Sequence, residues 1–458
     1  MAETGSPRPI ALIILAAGQG TRMNSDLPKP LHKLGGMPLI AHSLFAGAAL
    51  DPARVVVVTG HGAEALEAAV DDLMPGAVCV RQAEQLGTGH AVLQAAEALE
   101  GFEGDVLVLY ADSPFFRPET LEAMRVARAR HDIVMLGFEP EDPLRYGRLV
   151  MEGERLLRIV EFKDATEAER AIGLCNSGVL CGDAATVMAL LADVGCENAA
   201  GEYYLTDLPA IADGRGLRAT VVICDEAETL GIDTRSQLAR AETLFQARRR
   251  AEMIETGVAM QAPETVFFAL DTWVGRDAEI EPNVVFGPGV TVESGARIRA
   301  FSHLEGCHVS AGAVIGPYAR LRPGAEIGND ARIGNFVEVK EAQIGDGAKV
   351  NHLSYIGDAE IGEATNVGAG TVTCNYDGVM KHRTVIGRHA FIGSDTMLVA
   401  PVTIGDRAMT GSGSVITENV PDGALAIGRA KQVNKPGLAV KLMDRLRAIK
   451  SAKSGKKG

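Results

Sequence analysis

The chain has 458 residues, too many for one ordinary hydrophobic core, so two or three domains are expected. Hydrophobic residues at 47% and charged residues at 23% are typical of a globular protein and exclude general disorder. The formal net charge of −14 argues against a nucleic-acid partner, because neutralising phosphates needs a basic footprint. Small phosphorylated ligands remain compatible, since a few local Lys and Arg residues can override the global field.

Seven cysteines without a C-x-x-C pair suggest neither a disulfide framework nor a structural zinc site. The apolar run at 10–17 follows a lone Arg8 and passes directly into glycines, unlike a signal peptide. Nothing approaches the roughly 20 apolar residues of a spanning helix, so a cytoplasmic protein with no membrane partner is expected.

In chain order, short Val/Ile/Leu runs at 10–15, 55–59 and 105–110 alternate with Ala/Glu/Leu-rich segments up to about residue 235. Alternating buried strands and amphipathic helices predict an α/β layer with a mostly parallel, Rossmann-like sheet. The first strand runs into Leu15-Ala16-Ala17-Gly18-Gln19-Gly20-Thr21-Arg22-Met23, with Leu27-Pro28-Lys29 close behind. A glycine turn after a strand offers backbone N–H groups to phosphate oxygens. It is not a P-loop, for it lacks Gly-Lys-[Ser/Thr], and Met23 stands where a dinucleotide fingerprint needs its third glycine. Asp112 follows the strand at 105–110, where an open α/β sheet places its ligands, and its carboxylate suits Mg²⁺.

Residues 236–255 contain no Gly or Pro and predict a helix, either a connector or the last helix of the first domain. From Val274 onward the period becomes six. Aliphatics recur at Ile315, Leu321, Ile327, Ile333 and Val339, then at Ile344, Val350, Ile356, Ile361 and Val367 with one slip. The pattern resumes at Ile386, Ile392, Leu398, Ile404 and Ile416, with Thr410 in the missing slot. Gly, Asn or Asp crowds the following position. This is the signature of a parallel, left-handed β-helix of hexapeptide repeats, whose inward aliphatics stack into one column. Residues 372–384 interrupt it as an extra loop. Residues 437–458 read as a short amphipathic helix and basic tail, expected to cap the coil end and add solubility, with the tail's positive charge holding a phosphorylated cofactor as the alternative.

Polar residues also gather on the coils. Arg322 and Lys340 are 18 positions apart, one coil, so they should stack on one exterior face. Two stacked cations call for an anion. His352 lies 12 positions beyond Lys340, and an imidazole titrating near neutrality suits a general base.

The N-terminal motif resembles the sugar-phosphate nucleotidylyltransferases. The likeness continues in register through Gln82 to Ala91, Tyr110 to Pro114, Tyr146-Gly147-Arg148, 159–164, Asn176-Ser177-Gly178 and 202–207. The whole chain resembles the bacterial bifunctional N-acetylglucosamine-1-phosphate uridylyltransferase/glucosamine-1-phosphate N-acetyltransferase family. That resemblance implies uridylyltransfer by residues 1–235, a helical linker at 236–256 and acetyl transfer by the β-helix of residues 257–458. The substrates implied are UTP, N-acetylglucosamine 1-phosphate, acetyl-CoA and glucosamine 1-phosphate, with Mg²⁺ as cofactor.

It further implies that Leu15, Ala16, Ala17, Gly18, Gln82, Gly87, Thr88, Gly147, Glu161 and Asn176 bind nucleotide and sugar. Arg22 and Lys29 would hold phosphates, and Asp112 and Asp233 the metal. The family has Asn where Asp233 stands, an extra negative charge here. In the repeats, His352 would be the catalytic base, Arg322 and Lys340 would bind the sugar phosphate, and Tyr355 and Asn366 the sugar. Ala369, Asn375, Tyr376, Ser394, Ser412 and Arg429 would bind acetyl-CoA, although the family often has Ala where Ser412 stands. Three β-helices pack side by side in this family, which implies a homotrimer. An acyl-cysteine route through Cys374 is the weaker alternative, since direct transfer to an amine needs only the His. Two rival readings are a monofunctional nucleotidylyltransferase with a regulatory or oligomerising β-helix and a pure binding module. Neither would need Arg322, Lys340, His352 and Asn375-Tyr376 together.

Overall fold

A computed structural model describes residues 8–143, 145–198 and 200–454. The final basic residues of the tail, Lys456 and Lys457, lie outside the described residues. The chain divides into two compact units. The first holds residues 1–256, 262–272 and 286–289, and the second holds 257–261, 273–285 and 290–458. The helix Arg235–Glu255 belongs to the first unit, where Ala241 and Phe245 pack against Leu34, Leu39 and Phe115. Its Thr234 side chain accepts the Gln237 N–H, satisfying one of the orphan donors of the first turn.

The first unit is built on a sheet of seven principal strands: β1 (Ile10–Leu15), β2 (Arg54–Thr59), β3 (Val78–Arg81), β4 (Asp105–Tyr110), β5 (Ile133–Phe138), β6 (Cys175–Asp183) and β7 (Ala219–Cys224). Their spatial order is β7-β5-β6-β4-β1-β2-β3, all parallel except β6. Strand β1 is apolar at every position because both its faces are covered. Ala11, Ile13 and Leu15 enter one core layer, while Ile10, Leu12 and Ile14 enter the other. The C-terminal ends of β1, β2, β3 and β4 therefore open side by side along one edge of the sheet.

The second unit is a parallel β-helix of short strands stacked coil on coil. Every aliphatic of the six-residue pattern points inward, from Ile315 through Ile416, each no more than 4% exposed. Thr410 is tolerated in the column because its hydroxyl receives the Gly393 N–H at 3.0 Å and meets Thr396 Oγ1 at 3.2 Å. Most successive coils pair at 17 or 18 residues, as in Ile315 with Ile333 and Ile333 with Val350. Val367 pairs instead with Ile392, 25 residues on, so seven or eight residues are thrown out as a loop. Ile333→Ala should cost about 2–5 kcal/mol, because a rigid column cannot close the cavity left behind. Arg332→Ala on the same strand is exposed and should stay within about 0.5 kcal/mol. Denaturant midpoints of the two variants measure the contrast.

One corner of the β-helix carries an exposed ladder of large side chains. Phe301, Tyr318, Phe336 and Leu353 all adopt left-handed φ angles between 51° and 60°. The rings of Phe301 and Tyr318 stack at 4.9 Å, and those of Tyr318 and Phe336 at 5.3 Å. The terminal helix Leu438–Ser454 does not cap a buried end in the way expected. Leu438, Val440, Leu442, Met443, Leu446 and Ile449 are 40–64% exposed, so the single chain leaves this apolar set without cover.

Candidate functional sites

In the first unit, two cavities open beyond the C-terminal strand ends. The smaller, about 250 Å³, is lined by Leu15, Ala16, Ala17, Gly18, Lys29, Gln82, Gly87, Thr88 and Asp112 among the expected residues. The larger, about 780 Å³, takes in Thr88, Gly147, Glu161 and Asn176. Thr88, Tyr110 and Glu202 line both, so the two are halves of one cleft.

The glycine turn has a local cause. Gly20 has φ +62°, and a Cβ there would come within 2.7 Å of the Lys29 Cβ. A glycine thus lets Lys29 cross the turn and reach inward. Its Nζ lies 2.5 Å from Asp112 and 2.9 Å from Asp233. Arg22 meets Asp233 at 3.0 Å. Asp233 arrives from 121 residues downstream of Asp112 because the Ile232 N–H donates to the Asp112 carbonyl at 2.9 Å. Burial alone would pull Lys29 down, but the two carboxylates outweigh it and hold the ammonium above the ordinary lysine range.

The extra charge of Asp233 is therefore balanced within the site by Lys29 and Arg22. The two carboxylates converge on a single ammonium, and as hard oxygen donors Asp112 and Asp233 are of the type that would hold a Mg²⁺. No cluster of three His, Cys, Asp or Glu side chains suited to a metal occurs among the described residues.

The segment at 82–91 is held by backbone bonds to Tyr203: Tyr203 N–H to Leu86 O and Gly89 N–H to Tyr203 O, both 2.8 Å. Gly87, at φ +111°, admits Tyr203, whose carbonyl would lie 2.6 Å from any Cβ. Gln82 is buried and bonds the Gly87 carbonyl at 3.2 Å and His90 at 3.0 Å. Burial holds the Glu161 carboxyl above the usual range, partly offset by the Thr206 hydroxyl at 3.2 Å. Sequence reasoning missed Gln85, which bonds the Ala17 carbonyl at 2.8 Å, and gave no individual role to Tyr110, Glu202 or Tyr204. All four lie in the quoted family segments, which was the available signal.

On the β-helix, the ladder aligns Leu321 with Val339, so Arg322 and Lys340 sit one above the other. Arg322 bonds Glu338 at 2.8 Å. The inserted loop returns Lys381 against Lys340, and the hydrogen bond between them, with the nearby positive charge, pulls Lys340 below the usual lysine range while Lys381 is held above it. Lys381, missed by sequence reasoning, makes this a patch of three cations with Arg322. Its only sequence signal was the position of the loop.

His352 and Tyr355 flank the coil corner at Leu353-Ser354, and Tyr355 pairs with Glu338 in the ladder. Val350, Val367 and Ile392 are in register, so His352, Ala369 and Ser394, two residues beyond each, form one column. The column continues past Ser394, whose carbonyl accepts the Gly413 N–H at 2.7 Å, alongside Ser412; the Arg429 Cδ lies 3.9 Å from where a Gly413 Cβ would be.

Asn366 stands on the same sheet, paired with Lys349. Asn375 and Tyr376 open the inserted loop and do not share the column. Asn375 is buried and bonds Asp358, whereas Tyr376 is exposed and its hydroxyl donates to Gly378 O at 2.6 Å. Cys374 is half-buried, and burial pushes its thiol up, away from the reactive thiolate.

Fold and sites together define a nucleotidyltransferase joined to a hexapeptide-repeat transferase. The MobA-like NTP transferase domain matches residues 12–172, and the bacterial transferase hexapeptide family matches 306–341 and 383–418, on either side of His352 and the loop. The chain is 73% identical over 449 residues to the "Bifunctional protein GlmU" of Jannaschia sp. (strain CCS1), covering 98% of this chain and 99% of that protein. It is 66% identical over 443 residues to the protein of the same name from Paracoccus denitrificans (strain Pd 1222), covering 97% and 99%. The chain belongs to this bifunctional GlmU family.

Proposed function

We propose that the first unit transfers UMP from UTP to N-acetylglucosamine 1-phosphate, and that the β-helix first makes that sugar phosphate by acetylating glucosamine 1-phosphate with acetyl-CoA. The observation that carries this reading is the presence, on one chain matched nearly end to end by its relatives, of the Asp112/Asp233 carboxylate pair on one unit and, on the other, of the His352 column and the three cations Arg322, Lys340 and Lys381. Residues 1–235 are assigned to uridylyl transfer, 236–256 to the helical linker and 257–458 to acetyl transfer.

In uridylyl transfer an oxygen of the sugar 1-phosphate attacks the α-phosphorus of UTP. A P–O bond forms, the bond to the β-phosphate breaks, and pyrophosphate leaves with the electron pair. The attacking oxygen is already an anion, so no general base is needed and positioning with charge neutralisation dominates. Leu15 to Gly18, Gln82, Gly87 and Thr88 line the nucleotide half of the cleft, while Gly147, Glu161 and Asn176 line the sugar half. Arg22 and Lys29 neutralise phosphate charge. Mg²⁺ bound by Asp112 and Asp233 would supply further neutralisation of the triphosphate.

In acetyl transfer the amine nitrogen of glucosamine 1-phosphate attacks the thioester carbonyl of acetyl-CoA. His352 takes the nitrogen's proton, the C–S bond breaks, and coenzyme A leaves as its thiol. Arg322 and Lys340 hold the phosphate, joined by Lys381, while Tyr355 and Asn366 hold the sugar. Ala369, Asn375, Tyr376, Ser394, Ser412 and Arg429 hold acetyl-CoA.

A homotrimer is supported by two apolar surfaces that one chain leaves uncovered, the Phe301–Leu353 corner ladder and the terminal helix. A cytoplasmic setting is proposed, with small molecules rather than nucleic acid or membrane as partners. No described helix is long and apolar enough to cross a membrane. Incubation with UTP, acetyl-CoA and glucosamine 1-phosphate should release free thiol and pyrophosphate and yield UDP-N-acetylglucosamine. Absence of thiol release would leave the β-helix a regulatory or oligomerising element.

A further inference from the structure

We infer that Asn335, to which no role has been assigned above, is the positioning residue for acetyl transfer, fixing the tautomer and direction of the His352 ring. The inference rests on the reading of His352 as the general base.

Asn335 and His352 are ladder partners on adjacent coils, 17 residues apart, and Asn335 Oδ1 lies 2.8 Å from His352 Nδ1. An amide oxygen there accepts a hydrogen bond from Nδ1–H. The neutral imidazole then carries its free lone pair on Nε2, the outer nitrogen and the one able to take a proton from a substrate amine. The opposite amide orientation would donate to Nδ1, place the proton on Nε2 and leave no base facing outward. Such a partner also restrains ring rotation, as the partners of metal-bound and triad histidines do.

The backbone beneath the ring is fastened as well. The His352 carbonyl accepts the Ser354 hydroxyl at 2.9 Å and the Gly370 N–H at 3.3 Å. The ladder positions beside His352 are neutral, Asn335 on one coil and Ala369 on the other. The charged groups of the packed strands, Lys349 and its partner Arg332, stand three positions back in the register, and Tyr355 lies round the corner. Asn335 is thus the one side chain bonded to the ring among the described residues, and it is uncharged.

The test uses the full chain carrying Asn335→Leu, Asn335→Asp or His352→Ala, with thiol release followed across pH. Thermal midpoint and uridylyl transfer of each preparation serve as fold controls. Asn335→Leu should lower kcat for acetyl transfer roughly ten- to a hundredfold, with KM for both substrates within about twofold, the scale seen when an orienting partner is lost. Asn335→Asp can only accept, so it should restore kcat to within about threefold of wild type on the pH plateau. Its acid limb should move to higher pH, because a carboxylate beside the ring favours the protonated form. Wild-type kcat in Asn335→Leu, or equal loss in Leu and Asp variants, overturns the inference. If His352→Ala keeps full acetyl transfer, the base assignment itself fails; if it loses transfer while Asn335→Leu does not, only the positioning role fails.

Discussion

Asp112→Ala is expected to lower uridylyl transfer by about three orders of magnitude while leaving acetyl transfer within about twofold of wild type. The carboxylate stands just past the end of β4 and faces Lys29 Nζ at 2.5 Å, with Asp233 completing the pair across the same ammonium. Its removal takes away one of the two carboxylates proposed to hold Mg²⁺ and leaves Lys29 drawn to Asp233 alone. The side chain is partly solvent-exposed, and the backbone bond from Ile232 to the Asp112 carbonyl survives the substitution, so the fold should persist. The residues proposed for acetyl transfer all lie on the other unit. Parallel assays of pyrophosphate and thiol release on one preparation decide the matter. Loss of both activities in a folded protein would sink the two-site reading.

His352→Ala should produce the converse pattern. Acetyl transfer should fall roughly 10²- to 10⁴-fold, the usual worth of a positioned general base, with uridylyl transfer unchanged. The side chain is exposed and its one bonded partner is Asn335, so truncation opens no cavity and strands no buried charge. Most of the loss should appear in kcat. Arg322, Lys340 and Lys381, the cations proposed to bind the phosphate, are untouched, so KM for the sugar phosphate should stay close to wild type. A residual rate above the uncatalysed reaction is expected from substrate positioning alone. Steady-state thiol release at saturating and limiting sugar phosphate separates the two constants.

Much of this protein was determined locally and was readable before any fold was known. Strand β1 covers the Val/Ile/Leu run at 10–15, because a strand covered on both faces needs apolar residues at every position, and it ends just ahead of the turn that contains Gly18 and Gly20. The six-residue aliphatics all point into the column, since the spacing itself decides which side chain faces inward. Arg322 above Lys340 followed from a coil of 18 residues.

Only the tertiary structure decided the rest, because it depends on how distant segments meet. The next coil is one residue shorter, which sets Lys340 against Gly357 and brings Tyr355 level with Glu338. Coil lengths of 17 and 18 follow one another in no fixed order, so stacking beyond one turn cannot be counted from a constant 18-residue spacing. The meeting of Asp233 with Asp112, the return of Lys381 to Lys340 and the bond from Asn335 to His352 are likewise long-range events. The terminal helix makes the same point in reverse. Its amphipathic pattern was legible, but what its apolar side chains meet lies beyond the periodicity, and within the single chain they stay 40–64% exposed. Periodicity reports local geometry and burial; convergence on a site is a property of packing.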